Sequence, residues 1–227
     1  MPIPFMNRVA AGRELAGHLR QFARRPDVLV LGLPRGGVPV AAEVAYALGA
    51  QLDVFVVRKL GAPGREELAI GAVASGNVRV VNPDLLGPLG VSRTDLDRLA
   101  AREQRELERR ERLYRGGRPF PALANRTVIL VDDGVATGAT MLAAVRALRQ
   151  LKPVGLVVAA PVMSTSAYWT LAQEADACVT LATPEPFDAV GAWYEDFRQT
   201  TDEEVLALLG IDHSIPPEGE PVDAAHH

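Results

Sequence analysis

Cysteine is almost absent from this 227-residue sequence, since only Cys178 occurs. A single cysteine cannot form an internal disulfide bond, which favours a reducing, cytoplasmic compartment. Cys178 lies in the apolar, strand-like run ACVTL. That setting predicts a buried, unreactive thiol and counts against a catalytic nucleophile.

Long apolar runs and an excess of positive charge are missing too. The longest apolar run, Val154 to Met163, is too short to cross a bilayer. The first residues, MPIPFMNR, lack the apolar core of a signal peptide. The formal net charge is −4, so no overall positive field attracts nucleic acid or an anionic membrane. We therefore expect neither a nucleic acid nor a membrane as a partner.

Short apolar runs alternate with helical patterns along the chain. Strands that alternate with helices predict an α/β fold whose parallel sheet is covered on both faces. Ligands of such sheets bind at the carboxyl ends of the strands, so the chemistry is expected there. The predicted strands are 28–33, 52–57, 68–74, 78–81, 127–132, 155–161 and 177–181, and the predicted helices between them are 38–48, 139–151 and 165–175.

Two charged stretches interrupt this alternation. The stretch GAPGREE (61–67) carries turn residues and charge, which predicts a loop. Ser92 and Asp95 fit a capping box that opens a helix reaching about Tyr114. Its segment REQRELERRER has opposite charges at helical spacing, which predicts a solvated helix. A basic interaction face is the alternative, but the interleaved glutamates count against it.

The stretch VILVDDGVATGAT combines two carboxylates with a loop of small residues. The strand 128–131 runs into Asp132 and Asp133, and the loop 134–138 leads to a helix. Small residues let backbone N–H groups approach an anion, and a helix N-terminus adds partial positive charge. Paired carboxylates suit sugar hydroxyls or the shell of a magnesium ion. A phosphorylated sugar satisfies both halves of the stretch.

Other nucleotide-binding motifs fit this sequence less well. A P-loop needs Gly-Lys-Ser/Thr, and the loop 134–138 has no lysine. The stretch GLPRGGVP after the first strand does not match a dinucleotide fingerprint. The remaining alternative is a strand, a turn and a helix capped by aspartate, with no ligand. The register of the acidic pair with T-G-x-T makes that alternative the weaker one.

An acidic pair after an apolar strand, then a small-residue loop ending T-G-x-T, resembles the phosphoribosyl pyrophosphate (PRPP) motif of type I phosphoribosyltransferases. Overall, the chain most resembles bacterial phosphoribosyltransferases of undefined acceptor. The resemblance implies a Rossmann-like parallel-sheet core with a small variable hood and a helical insertion. It also implies that the acidic pair binds the ribose hydroxyls and that 135–140 holds the 5′-phosphate. The implied PRPP-binding residues are Asp132, Asp133, Gly134, Val135, Ala136, Thr137, Gly138, Ala139 and Thr140.

The resemblance also implies a pyrophosphate site. The loop after the first strand supplies Arg35, whose fork-shaped donors suit pyrophosphate oxygens, with Gly36 and Gly37. The pair Arg58 and Lys59 follows the second predicted strand, where the family often carries a basic residue. Each of these features alone fits a tight turn or a solvated strand end. Together they predict that phosphate-binding groups recur at successive strand ends.

A flexible loop that closes over the reacting centre is the next implied element, and 61–71 stands in its place. Closure would exclude water from a reactive sugar cation. Arg65, Glu66 and Glu67 are its candidates for contact with the leaving group or the base. A solvated charged turn is an equal alternative for each of them. With Arg35 and Lys59 they complete the predicted catalytic set.

The acceptor is expected under the hood, in the segment 184–197. Phe187, Trp193 and Tyr194 could stack on a flat ring, although core packing is the alternative for each aromatic. Many 6-oxopurine transferases have a third acid where this chain has Ala136. The loop therefore looks more like that of adenine-type members, but the helix 92–114 has no match in that branch. The acceptor stays undefined.

The resemblance implies transfer of a phosphoribosyl group from PRPP to a nitrogenous acceptor, with release of pyrophosphate. Magnesium is the implied cofactor, bound mainly through PRPP and only indirectly by Asp132 and Asp133. The alternatives are a PRPP-sensing regulator without turnover and, more weakly, a phosphatase. A homodimer is compatible with this interpretation. The predicted organisation is an N-terminal helix at 1–26 that can join the hood, a core at 27–183 with the insertion at 92–115, a hood segment at 184–210 and a flexible tail at 211–227.

Overall fold

The computed structural model describes residues 4–211, except for the side chain of Glu67. The strands are β1 (Val28–Gly32), β2 (Gln51–Val54), β3 (Val57–Ala62), β4 (Arg65–Ala74), β5 (Val78–Val81), β6 (Thr127–Val131), β7 (Gly155–Val162) and β8 (Ala177–Ala182). The helices are α1 (Arg8–Gly17), α2 (Gly37–Leu48), α3 (Pro83–Leu86), α4 (Arg93–Arg115), α5 (Ala139–Gln150), α6 (Thr165–Glu174) and α7 (Asp202–Leu208). Short 3-10 helices form at Arg20–Phe22 and Val190–Trp193. None of the helices in this range is long and apolar enough to span a membrane.

Five strands form a parallel sheet in the order β2-β1-β6-β7-β8. Its central strands β1 and β6 are buried along their whole length. Alternate residues serve opposite faces: Leu29 and Leu31 join the apolar cluster beneath α5 and α6, while Val28 and Val30 join the cluster beneath α1 and α2. A strand buried on both faces needs a continuous apolar run, which is what the sequence supplies. The predicted α/β class with a parallel sheet is confirmed.

A second sheet corrects one sequence prediction. Strands β3, β4 and β5 are antiparallel, and Ala62 pairs with Arg65 across a turn at Pro63 and Gly64. The prediction of a loop at 61–67 was therefore wrong, because a two-residue hairpin turn carries the same turn residues as a longer loop. Gly64, with a φ of 71°, supplies the left-handed conformation of this turn.

The long charged helix α4 has a buried face. Leu96, Ala100, Leu107 and Tyr114 recur on one side of the helix and pack against β3 and β4. The prediction of a solvated helix is therefore correct only for the opposite side. The buried side was not evident in the sequence, because charged residues stand between its apolar positions. Ser92 caps the helix by accepting from the Asp95 N–H. Its hydroxyl also donates to the Asp95 carboxylate, at 2.5 Å.

The first described residues pair with the segment 193–196, which follows β8. The Phe5 N–H donates to the Trp193 carbonyl, and the Glu195 N–H donates to the Phe5 carbonyl. A further bond joins the Asp196 N–H to the Met6 carbonyl. Asn7 then caps α1, because its side chain accepts from the Ala10 N–H. Of the predicted tail at 211–227, all residues after Ile211 lie outside the described part of the chain.

Candidate functional site

Asp132 and Asp133 follow β6 directly, at the carboxyl edge of the parallel sheet. The loop after β1 runs beside them, since the Leu33 N–H donates to the carbonyl of Val131 at 2.9 Å. The Asp132 carboxylate accepts from the Asp133 N–H, also at 2.9 Å, which fixes its direction. Two loops from neighbouring strands therefore meet at the acidic pair, as ligand sites of parallel sheets do.

Two glycines allow this close meeting. A Cβ atom on Gly36 would overlap the Asp133 carboxylate. A Cβ atom on Gly37 would stand 2.7 Å from the Val131 carbonyl oxygen and 2.8 Å from the Cα atom of Asp132. Neither glycine has a positive φ. They are needed here for the space that they leave, and not for their backbone freedom.

The surroundings of the acidic pair raise the pKa of both carboxyl groups. Burial raises the pKa of Asp132 well above its ordinary value, and the neighbouring Asp133 charge adds to the rise. Burial also raises the pKa of Asp133, while the charge and hydrogen bond of Arg8 lower it. Two adjacent, largely desolvated carboxylates favour proton uptake or a ligand that supplies donors or positive charge. Such a pair is typical of a binding site.

Arg8 is a site residue that the sequence analysis missed. Its Nε donates to the Asp133 carboxylate at 2.8 Å, and the two side chains are only 11% and 13% exposed. Its Nη1 donates to the Arg198 carbonyl at 2.7 Å. The two charges are 125 positions apart in the chain, so no local pattern around Arg8 could have indicated the contact.

The loop 134–138 presents backbone donors. Val135 anchors it, since its N–H donates to the Val162 carbonyl and its carbonyl accepts from the Ser164 N–H. Gly138, with a φ of 75°, forms the N-cap of α5. Within the described residues, the amides of Ala136, Thr137 and Thr140 have no hydrogen-bond acceptor. Free amides beside a helix N-terminus can bind a phosphate.

A cavity of about 320 Å³ opens between the β1 loop and the C-terminal segment. Arg35 lies at its wall and stands 3.8 Å from the Asp202 carboxylate of α7. Asp202 also accepts from the Tyr114 hydroxyl of α4, at 2.6 Å. The cavity is lined by Arg8, Arg35, Gly36, Asp133, Phe197, Gln199 and Thr200. Arg8 is paired with Asp133, so Arg35 is the lining cation that can bind an anion in this cavity.

Other predicted cations and acids lie on the antiparallel sheet. Arg58 belongs to β3 and binds Glu103 of α4 at 2.6 Å, while Lys59 is exposed. Neither lines the cavity among the described residues. Arg65 and Glu66 are exposed beside the hairpin turn, and neither forms an ion pair with any of the side chains that the structure describes, which do not include that of Glu67. Glu67 belongs to β4, but its side chain lies outside the description.

The predicted acceptor aromatics have different surroundings. Tyr194 is buried, donates to the Asp133 carbonyl and stacks on Phe197 at 5.1 Å between ring centroids. This favours the packing alternative for Tyr194. Trp193 and Phe187 are half-buried, and the Trp193 Nε1 has no partner within the described chain. Phe197, which the sequence analysis did not select, lines the cavity instead.

A family model and the related sequences name the same protein family. A family model described as a phosphoribosyl transferase domain matches residues 5–171. Over 221 residues the chain is 44% identical to a Mycobacterium tuberculosis H37Rv protein that is provisionally named a phosphoribosyl transferase. The match covers 97% of this chain and 50% of that protein. The chain thus spans about half the length of the curated relatives it matches.

Solved structures share the fold. The crystal structure of TT1426 from Thermus thermophilus is 47% identical, with a TM-score of 0.82. That match covers 91% of this chain and 98% of the other. The AQ2163 protein from Aquifex aeolicus has a TM-score of 0.50 at 10% identity, over 81% of this chain and 78% of the other. At such low identity the second likeness concerns the fold alone.

Proposed function

The chain belongs to the phosphoribosyl transferase family, and from this premise we propose that it transfers the phosphoribosyl group of PRPP to a nitrogenous, nucleobase-like acceptor. The observation that carries the proposal is the meeting of the acidic pair with two phosphate-suited loops. Asp132 and Asp133 lie between the free amides after β6 and the Arg35 loop after β1. PRPP has a ribose between a 5′-phosphate and a pyrophosphate, and this arrangement matches that order.

The ribose and its phosphate would use the loop after β6. Carboxylate oxygens accept hydrogen bonds from sugar hydroxyls, and Asp132 and Asp133 are adjacent at the loop entrance. The amides of Ala136, Thr137 and Thr140 remain to donate to the 5′-phosphate. The exposed Thr137 and Thr140 add hydroxyl donors. The N-terminus of α5 adds partial positive charge at the same place.

The pyrophosphate would lie against the loop after β1. Arg35 reaches the cavity there, and Gly36 brings the loop backbone against Asp133. A guanidinium can bind two pyrophosphate oxygens at once. Lys59 and the hairpin residues Arg65, Glu66 and Glu67 are proposed to approach when ligand binds. The hairpin β3–β4 would then act as the cover that excludes water.

The proposed reaction is a displacement at the anomeric carbon with inversion. A ring nitrogen of the acceptor forms the new bond to this carbon, and the bond to the pyrophosphate oxygen breaks with its electron pair. The nitrogen then loses its proton. The transition state would resemble an oxocarbenium ion, by analogy with glycosyl chemistry. Positioning by Asp132 and Asp133 and neutralisation of the leaving group by Arg35 would supply most of the acceleration.

Magnesium fits this site as a companion of PRPP. The ion prefers oxygen ligands and often binds through few carboxylates together with substrate phosphates. Residues 4–211 contain no cluster of three or more His, Cys, Asp or Glu side chains placed to hold a metal. Asp132 and Asp133 would therefore contribute indirectly. When bound, the ion would neutralise negative charge on the departing pyrophosphate.

The acceptor is proposed only as a class. Ala136 brings no charge to the loop, so this position offers no proton transfer to a 6-oxopurine. The half-buried rings of Phe187 and Trp193 and the cavity ring of Phe197 are the aromatic groups left for a flat acceptor. A cytoplasmic location and a homodimer remain predictions from the sequence.

Pyrophosphate release tests the proposal directly. The protein would be incubated with PRPP, magnesium and a panel of nucleobases, with the variant Asp132→Asn/Asp133→Asn as the matched control. We expect release with at least one acceptor, and none from the variant. PRPP binding without turnover on any acceptor would favour the sensing regulator. Absence of PRPP binding, or equal binding by the variant, would overturn the site assignment.

A further inference from the structure

We propose that Arg8 of α1 is a positioning residue for this reaction, supplying the counter-charge and the alignment of Asp133 for the ribose. The inference rests on the proposed function and assigns a role to a part of the chain outside the predicted PRPP motif. It also gives the N-terminal segment a specific task at the site.

Three contacts restrain the Arg8 guanidinium. Its Nε binds the Asp133 carboxylate at 2.8 Å, and its Nη1 binds the Arg198 carbonyl at 2.7 Å. Its central carbon lies 3.9 Å from the centroid of the Phe197 ring. A stacked guanidinium with two hydrogen bonds loses little further freedom when it holds a partner. Lysine could replace the positive charge, but it could not make both hydrogen bonds and stack on the Phe197 ring in the same way.

The backbone beneath Arg8 is fixed as well. The hydrogen bonds of Phe5 and Met6 to 193–196 tie the preceding residues to the C-terminal segment. Asn7 then caps α1, so Arg8 begins the helix at a defined position. Gly12 packs α1 closely on α2, with its Cβ position 2.9 Å from the Val40 carbonyl oxygen. These contacts bring a distant cation to the carboxylate in a fixed geometry.

The contact leaves room for a sugar. A carboxylate has two oxygens with about four acceptor positions, and Arg8 uses the Oδ2 atom of Asp133. Within the described chain, the Oδ1 atom has no hydrogen-bond partner. A ribose hydroxyl can donate to that oxygen while Arg8 stays bound. The geometry therefore favours support of the ligand site over blockage of it.

The charges around Asp133 explain why a counter-charge is needed. Asp132 is the like charge in the same loop, and Arg35 lines the cavity from the β1 loop. Tyr194 approaches from the C-terminal segment and donates to the Asp133 carbonyl. Arg8 is the cation in direct contact. Without it, burial would favour a protonated Asp133, which accepts hydrogen bonds from sugar hydroxyls less well.

PRPP affinity as a function of pH tests the role of Arg8. Calorimetry with PRPP and magnesium would compare the unsubstituted chain with Arg8→Gln, Arg8→Lys and Arg13→Gln. Arg13 is the matched control, because it lies on the same helix with its side chain 70% exposed and binds Glu43. We expect Arg8→Gln to weaken binding about tenfold near neutral pH, with a smaller loss at higher pH where Asp133 ionises again. Arg8→Lys should recover part of the loss, and Arg13→Gln should change nothing.

A second measurement separates alignment from folding. The carboxyl carbon of Asp133, followed by NMR in the full chain, should titrate at higher pH in Arg8→Gln than in the unsubstituted protein. Loss of affinity by the same factor at every pH, with unchanged titration, would reduce Arg8 to a structural residue and overturn the inference. Unchanged affinity would overturn it too. If the unsubstituted chain fails to bind PRPP, the proposed function fails, and the inference fails with it.

Discussion

Gly36 lies directly against the carboxylate of Asp133, so closely that any Cβ atom at position 36 would overlap an oxygen of Asp133. This relationship joins the loop after β1 to the acidic pair after β6. The proposed pyrophosphate and ribose sites are therefore one continuous surface. A change in either loop must disturb the other.

The first prediction concerns this contact. Gly36→Ala should lower PRPP affinity by at least about tenfold, since the methyl group must push Asp133 or the loop away. Gly87→Ala is the matched control, because nothing lies within 4 Å of the Cβ position of Gly87. Calorimetric titration with PRPP would measure both variants. Equal affinities of the two variants would contradict the assigned contact.

Substitution of Asp132 should make the fold more stable and abolish PRPP binding. Burial and the neighbouring charge raise the pKa of Asp132, so the ionised form costs stability at neutral pH. A raised pKa stabilises the fold fully at low pH, and this stabilisation is lost as the pH rises through the folded-state pKa. Asp132→Asn should therefore raise the melting temperature at neutral pH and abolish PRPP binding. The temperature difference should shrink as the solution is acidified to about pH 4.

Asp176→Asn serves as the control, because the pKa of Asp176 is shifted in the opposite direction to that of Asp132. Hydrogen bonds from Arg149 lower the pKa of Asp176, so its ionised form is favoured in the folded chain. Calorimetric melting of this variant at neutral pH should show no rise in melting temperature. A rise for both variants would show that removal of any acid stabilises this acidic protein.

Tyr114 should contribute to alkaline unfolding. Burial and the hydrogen bond to Asp202 raise the pKa of Tyr114 to about 12. The stability that this shift provides is complete below the unfolded-state pKa of about 10 and is lost as the pH rises through the folded-state pKa. Tyr114→Phe should cost about 0.5–1.5 kcal/mol at pH 8 and unfold with a weaker pH dependence above pH 10. Urea denaturation would measure this, with the exposed Tyr46→Phe expected to match the unsubstituted chain.

Substitutions of the neighbouring cations Arg58 and Lys59 on β3 should affect different properties, stability for Arg58 and PRPP binding for Lys59. Arg58 binds Glu103, whose side chain is only 9% exposed, so Arg58→Gln should destabilise the chain. We expect about 1–2 kcal/mol, since Arg58 is a third exposed and Arg102 also contacts Glu103. Lys59→Gln should leave stability unchanged and weaken PRPP binding. Denaturation and PRPP titration of both variants check this, and a loss of affinity confined to Arg58→Gln would reverse the assignment.

The core and the acidic pair could be predicted from the sequence because their signals are local. A buried strand such as β6 needs consecutive apolar residues, and Asp132 and Asp133 follow it without a gap. The hairpin at 61–67 was missed, since Pro63 and Gly64 indicate a turn but not its length. The buried face of α4 was missed because Leu107 stands between charged neighbours.

The contacts that complete the site depend on distant parts of the chain. Arg8 meets Asp133 through the pairing of the first residues with 193–196 and through the packing of α1 on α2. Phe197 enters the cavity through the same segment. Tertiary packing decides these contacts, and no pattern within a short window of sequence carries them.

The pairing of Phe5 and Met6 with 193–196 joins segments that the ribosome makes at very different times. Ribosomes deliver the chain from its N-terminus, and the acidic pair emerges long before the segment that anchors Arg8. The bond of Arg8 to the Arg198 carbonyl can therefore form only after residue 198 has left the ribosome. A nascent chain that already has its parallel sheet still lacks a finished ligand site. The cavity takes its described shape only when Phe197, Gln199 and Thr200 have joined the earlier segments.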